Sequence, residues 1–342
     1  MVTVGVQAPD PKYIPILPLT LATEDDSWAF DPGEESDDMA STAPALGSAF
    51  VAHGGAAETD LDRFYFLMQK YASALPCTYG EEGVSLFRQW CMVTALMAIT
   101  KGQEVDQLPP LALIGVDLPG IQNMVYTITS GGAGKGVRGR SAFVQLLVSA
   151  VVDRLLAELE LCRANVIVNG GGNAIILCGK DEKLEQKLAD VERSINAILL
   201  NGDNHQRPFA GFKGDLSLAL ACVDLPASAL TYPIQNSGQS ISLWQQHEKA
   251  LKEAMTHAKQ QPFHRMTMTD DGFEQLFRPD VAVSDRFCAI CRRPEDLKDE
   301  FVPDDELPES GPGIPGAICP ECKGFEELAA FSNLNYCYRL CV

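Results

Sequence analysis

Apolar residues recur three and four positions apart in LDRFYFLMQKYASAL and VSLFRQWCMVTALMAI, between residues 60 and 100. That spacing lines one face of a helix, so two helices are expected, separated by a break at 76–80 and followed by a polar, proline-ended linker at 102–110. The pattern then changes. LALIGVD is a short unbroken apolar run ending at Asp117, as in a buried strand, and the Pro-Gly pair behind it turns into a short helix or second strand. A glycine-rich loop, SGGAGKGVRGR at 130–140, leads to an amphipathic helix expected over 141–161, with Phe143, Leu146, Leu147, Ala150, Val151, Leu155 and Leu159 on its apolar face. NVIVNGGGNAIIL at 165–177 sets two β-branched arms around three glycines and predicts a hairpin. A charged helix over 181–200 would bury Leu184, Leu188, Val191, Ile195 and Ile198. A strand, LSLALACVDL, and a polar helix around 243–259 complete the pattern.

From residue 111 to 225 the order is thus strand, helix, strand, strand, helix, strand, an α+β fold of the ferredoxin-like βαββαβ pattern. The first strand and the hairpin's first arm are expected at the centre of that sheet. Asp117 would then share one edge with the hairpin tip formed by Gly170, Gly171, Gly172 and Asn173.

The strongest chemical signal lies further on. CAIC (Cys288, Cys291) and CPEC (Cys319, Cys322) form a C-x2-C…C-x2-C pair, in which each knuckle supplies two corners of a tetrahedral Zn2+ site. The segment between them is loop-like and can be looped out. A redox role for one pair is the alternative, and the presence of two pairs argues against it. Four thiolates leave no open position for a substrate, so the metal is expected to hold the fold.

Composition narrows the rest. The 342 residues allow two or three small domains, 46% of them are hydrophobic, and no apolar run approaches the roughly 20 residues of a membrane helix. No basic-then-apolar leader opens the chain, which points to the cytoplasm. A net charge of −19 argues against a nucleic-acid binder held by a broad basic face. The acidity is uneven: 24–38 reads as a solvated acidic arm, whereas 118–152 holds no Asp or Glu and carries Lys135, Arg138 and Arg140. Those three cations suggest an anionic ligand or partner, or else a solvated loop. The other cysteines are expected to be reduced thiols.

Several chemistries are disfavoured. GGAGKG lacks the Ser or Thr that a phosphate-binding P-loop places after its Lys. The five histidines are scattered with no adjacent His-Asp pair. Two-metal phosphoryl transfer needs several converging carboxylates, and the hairpin edge offers Asp117 alone, with Asp215 and Asp224 on a later strand.

These motifs, in this order, resemble the large subunit of type III CRISPR effector complexes, the CRISPR polymerase-like palm-domain family. DLPGIQ (Asp117–Gln122) looks like the family's strand end, KGVRGRS (Lys135–Ser141) is similar to its basic loop, and the glycine-rich hairpin resembles the tip of its first palm, a fold shared with nucleotidyl cyclases. AKQQPF, FEQLF and the paired CxxC look like the segment leading to its zinc element. The resemblance covers about residues 60–330.

Three departures shape what it implies. Arg88 and Gln89 stand where an active HD nuclease of the family carries Asp-His. No Gly-Gly-Asp-Asp palm is present, and Pro119 replaces a Ser of the strand end, which weakens the expectation of ATP binding. The organisation implied is an acidic flexible arm at 1–59, a degenerate helical HD-like remnant at 60–105, a palm-like ferredoxin domain with following helices at 110–283, and a zinc-binding module at 284–342. The role implied is a non-catalytic subunit of an RNA-guided, RNA-targeting antiviral ribonucleoprotein, placed near the crRNA 5′ end beside other subunits. Lys135, Arg138 and Arg140 would contact crRNA, target RNA or a partner. The alternatives are half of a split cyclic-oligoadenylate synthetase, completed by a separate Gly-Gly-Asp-Asp chain, and a free nucleotide-binding sensor.

Overall fold

The computed structural model describes residues 61–73, 75, 84–102, 108–126, 133–202, 211–230, 243–277, 285–294, 301–303, 309–310, 313 and 315–332. The expected acidic arm at 1–59 and the start of the glycine-rich loop at 130–132 lie outside them.

Two helices open the described chain, α1 (Leu61–Ala72) and α2 (Leu86–Ile99), the latter N-capped by the Ser85 side chain, which accepts from Arg88 N at 3.2 Å. Next come strand β1 (Leu111–Asp117), helix α3 (Ile121–Tyr126) and helix α4 (Ala133–Glu158). The hairpin follows as β2 (Val166–Gly170) and β3 (Asn173–Gly179), then α5 (Leu184–Asn201) and β4 (Ala219–Leu225). Helices α6 (Leu243–Gln260), α7 (His264–Thr267) and α8 (Asp270–Phe277) continue the chain. The C-terminal module holds β5 (Val302–Pro303), β6 (Ala317–Ile318) and α9 (Pro320–Ser332).

The four long strands form one antiparallel sheet in the order β2-β3-β1-β4. The central strands are therefore β1 and β3, the hairpin's second arm. The first arm, β2, was expected at the centre and lies at the edge instead. The burial of each arm explains this: Ala174, Ile176, Leu177 and Cys178 are buried, whereas Val168 to Gly170 are exposed. A strand covered on both faces reads as a continuous apolar run.

Alternation along β1 divides its side chains between two cores. Ala112, Ile114 and Val116 face α4 and α5, packing with Val148, Leu155, Leu188 and Val191. Leu111 and Leu113 face the other way, onto Trp244, Leu251 and Met255 of α6 and onto Met92, Leu96 and Ile99 of α2. Gly115 lies on this second face, where a Cβ would come within 2.7 Å of Met255 Sδ. Helix α2 is thus part of the sheet's cover. Asn165, fully buried, secures it by donating to Ala95 O at 3.2 Å and to Leu177 O at 3.0 Å. Arg163 ties in α1 as well, through Asp62 at 3.1 Å, while also reaching Asp153 of α4 at 3.1 Å.

Two expected helix faces are buried in the main, with one or two positions of each turned outward. On α4 the buried stripe is Val144, Val148, Val151, Val152, Leu155 and Leu156, while Leu146 and Ala150 are exposed. On α5 Leu199 is buried and Ile198 faces outward. In both helices consecutive apolar residues leave the sequence compatible with more than one face, and the β-branched valines fit the closer contact with the sheet.

Candidate metal centre and strand-end site

Four sulfurs converge from two knuckles. Cys319 directly follows β6, and Cys322 lies in the first turn of α9. Cys288 and Cys291 lie on a turn closed by Arg292 N donating to Cys288 O at 2.9 Å and Cys288 N donating to Arg293 O at 2.8 Å. Arg292 adopts a left-handed φ of 62° there. Ala289 N donates to Ala317 O at 2.8 Å and so ties one knuckle to the other.

All four Sγ atoms lie within 4.8 Å of one another, and Cys291 Sγ is 3.7 Å from Cys319 Sγ. An ion about 2.3 Å from each of four tetrahedral sulfurs needs S···S edges of roughly 3.8 Å. Backbone amides add to the site: Cys319 N donates to Cys288 Sγ and Cys322 N to Cys319 Sγ, both at 3.4 Å. Among the described residues this is the one group of three or more His, Cys, Asp or Glu side chains placed to share an ion.

The protonation of the four thiols is interdependent. Hydrogen bonds from Cys291, then Cys319 and Cys322, hold the Cys288 thiol far below its usual range, while the contact with Cys288 is the first cause of the rise at Cys319 and Cys322. A bound dication would let all four ionise, and a closed tetrathiolate shell suits Zn2+ in a structural role.

Helix α9 carries this centre onto the sheet domain by packing against α4. Their crossing is close enough that a Cβ on Gly139 would lie 1.8 Å from Phe325 O. The second half of the expected glycine-rich loop is therefore helical from Ala133, its glycine serving close helix approach in place of backbone flexibility. Arg140, expected either as an RNA or partner contact or as packing of the loop against the helical domain, is buried in this crossing. Its Nη1 donates to Met124 O at 2.6 Å, its Nη2 to Cys322 Sγ at 3.2 Å, and its guanidinium lies 5.5 Å from the Phe325 ring centroid. The helix turns Lys135 and Arg138 to the exposed side.

At the C-terminal end of β1, Asp117 stands directly opposite Asn173 on β3 and Ala219 on β4. The structure thus brings Asp117 and the hairpin tip to one edge. Asp117 is ion-paired with Lys259 near the end of α6. The tip is a two-residue turn with φ of 65° at Gly171 and 93° at Gly172, the positive pair that a type I′ hairpin requires. Gly172 is buried against α3, where a Cβ would come within 2.3 Å of Ile121 Cδ1. Gly120 and Pro119 pack on the segment before β4: Pro119 O accepts from Ser217 N at 3.1 Å. Asp215 and Asp224 are exposed, and Asp224 is paired with Lys180. Arg88 donates to Ile167 O at 3.4 Å on the edge strand.

Lys259 and the Arg140–Cys322 contact carry no local sequence signal. The first joins residues 142 positions apart and the second residues 182 apart.

Comparison with known proteins agrees with this architecture. Residues 110–279 match the family model described as Csm1 subunit domain B, a span that ends before the cysteine knuckles. The chain belongs to the family of large subunits of type III CRISPR effector complexes. More particularly, its matched relatives are Cas10/Csm1 proteins of subtype III-A, named as CRISPR system single-strand-specific deoxyribonucleases. The one from Enterococcus italicus is 29% identical over 200 residues, covering 56% of this chain and 24% of the relative. The one from Mycobacterium tuberculosis is 40% identical over 84 residues, covering 25% of this chain and 10% of the relative. The chain therefore spans at most about a quarter of the curated relatives' length. Among solved structures, the Csm1–Csm4 subcomplex of the type III-A CRISPR-Csm interference complex superposes with a TM-score of 0.54 at 21% identity, covering 81% of this chain and 36% of that one. The Csm1–Csm4 cassette in complex with AMPPNP gives 0.53 at 22% identity, covering 82% and 36%.

Proposed function

We propose that this chain is a non-catalytic component of a type III CRISPR RNA-guided complex, built on a ferredoxin-like palm kept for docking. The strand order β2-β3-β1-β4 supports the palm reading, being the order of a βαββαβ sheet. The observation that carries the loss of catalysis is at the strand end. Asp117 is neutralised by Lys259, and the facing tip offers Gly170, Gly171, Gly172 and Asn173, none of which supplies a carboxylate. An in-line phosphoryl transfer between two metal ions needs several free carboxylates converging within a few ångströms. Arg88 and Gln89, on the α2 face where the family's nuclease carries Asp-His, support the same reading for hydrolysis.

The solved relatives assemble with Csm4. We extend that to this chain: it docks on the neighbouring crRNA-capping subunit near the crRNA 5′ end, with Lys135 and Arg138 of α4 toward RNA or that partner. The Zn2+ module holds α9 against α4 and so fixes the presentation of those two cations. The experiment is to purify the assembled complex, identify its RNA and protein components, and incubate it with target RNA, ATP and Mg2+. Co-purified crRNA and neighbouring subunits without oligoadenylate are expected. Oligoadenylate that disappears in Asp117→Asn would replace this reading with that of a split synthetase.

A further inference from the structure

We propose that Arg140 is a positioning residue that links the metal state of the four-cysteine centre to the strand-end site. The residue is 3% exposed, and its guanidinium donates to Cys322 Sγ at 3.2 Å and to Met124 O at 2.6 Å. The first contact is to a metal-ligand atom, where a cationic donor offsets the negative charge of a tetrathiolate shell. The second is to one of the last four carbonyls of α3, which have no partner within their own helix. The planar fork of an Arg serves both acceptors with one rigid group, which a Lys point charge cannot do.

The far end of α3 is what the link reaches. Ile121, its first residue, fills the space that Gly172 leaves at the hairpin tip, and Met124 and Val125 are in the core beneath. Helix α3 follows directly on Asp117–Gly120, and the Pro119 and Gly120 contacts hold that turn against residues 215–217. A continuous series of contacts therefore runs from Cys322 through Arg140 and α3 to the tip facing Asp117. Phe325 reinforces it, packing its ring on the guanidinium and its carbonyl against Gly139.

Two measurements on the full chain test this. In the first, the wild-type protein is stripped of Zn2+ under reducing conditions and amide exchange is followed. Faster exchange in 121–126 and 170–173, beyond any rise in α6, is expected. A rise no larger than that of α6 overturns the link. In the second, Zn2+ affinity is measured by chelator competition for Arg140→Gln and Arg140→Lys. Loss of an outer-shell partner weakens metal binding by about ten- to a hundredfold. That loss is expected in Arg140→Gln, and Arg140→Lys should recover part of it while exchange in α3 stays fast. In Co2+-loaded protein, Arg140→Gln should move the sulfur-to-cobalt charge-transfer band to longer wavelength, because the thiolate becomes a stronger donor. Affinity within about twofold of wild type, with an unmoved band, would remove Arg140 from this role. If Arg140→Gln does not fold, the lysine variant and the stripping experiment decide.

Discussion

At the residue scale, the most consequential side chains are polar groups placed inside the fold. Asn196 is 1% exposed, donates to Leu218 O at 3.0 Å and accepts from Leu218 N at 2.7 Å, so α5 completes the backbone hydrogen bonds at the approach to β4. Asn196→Ala leaves a buried N–H and C=O without that partner, at roughly 1–3 kcal/mol for each group. Urea denaturation should report a loss of about 2–6 kcal/mol with an unchanged slope. Glu192 is a different case. It lies under Arg265, with Nη1 to Oε2 at 3.1 Å but an alignment that misses a hydrogen bond, and Arg265 also approaches Glu185 at 3.5 Å. Burial pushes the Glu192 carboxyl up to about 7, against the opposing pull of Arg265 and a hydrogen bond from Leu220 N–H. A carboxyl raised in the fold contributes stability that is complete below its unfolded value near 4.5 and is lost as pH rises through about 7. Glu192→Gln should therefore match wild type near pH 5 and exceed it in Tm near pH 8. An equal gap at both pH values would show that Glu192 titrates normally.

At the element scale, the α4–α9 crossing joins two parts that the sequence presents as separate. Gly139→Ala would place a methyl group against the Phe325 carbonyl, and the backbone there has no flexible end to swing away. Overpacking of this kind costs about 1–3 kcal/mol, and limited proteolysis should show α9 released before the sheet is cut. Zinc removal should act on the same crossing. The knuckle module buries Cys288, Phe301, Ile318, Cys319 and Cys322 in a small core of its own, so a metal ion held there would be part of its folding. Chelation is expected to expose 285–332 to protease while β1, β3 and β4 remain protected. Unchanged resistance of 285–332 would make the cysteines a passive cluster. The crossing also explains why GKGVRGR looks like a loop in sequence. Its glycine content signals conformational freedom locally, but here at least one glycine is required by the helix packed against it.

At the scale of the whole molecule, charge and docking are the testable features. The chain carries a net −19, yet its α4 surface exposes Lys135 and Arg138 within a stretch free of Asp and Glu. Reversing both to Glu should weaken RNA or partner binding by roughly tenfold or more at low salt and reduce its salt dependence. The same double change should leave thermal stability nearly unaltered, since both residues are exposed. Assembly and RNA binding that both survive the reversal would take those residues out of the interface. Arg140 is excluded from this test because its substitution would disturb the metal crossing, so a binding defect there could not be assigned to a surface.

The sequence by itself determined most of the elements from 111 to 225, the α+β class, a glycine-tipped hairpin and the pairing of two CxxC knuckles. Each depends on local information: the period of apolar residues, glycines where φ is positive, and paired thiols at knuckle spacing. Tertiary structure alone decided that β3 and not β2 is central, that α4 buries its valine face, that Asp117 is paired with Lys259, and that Arg140 belongs to the metal centre. Those outcomes depend on which surfaces meet. Local periodicity cannot specify such contacts when two faces of a helix are both apolar, or when partners stand more than a hundred residues apart.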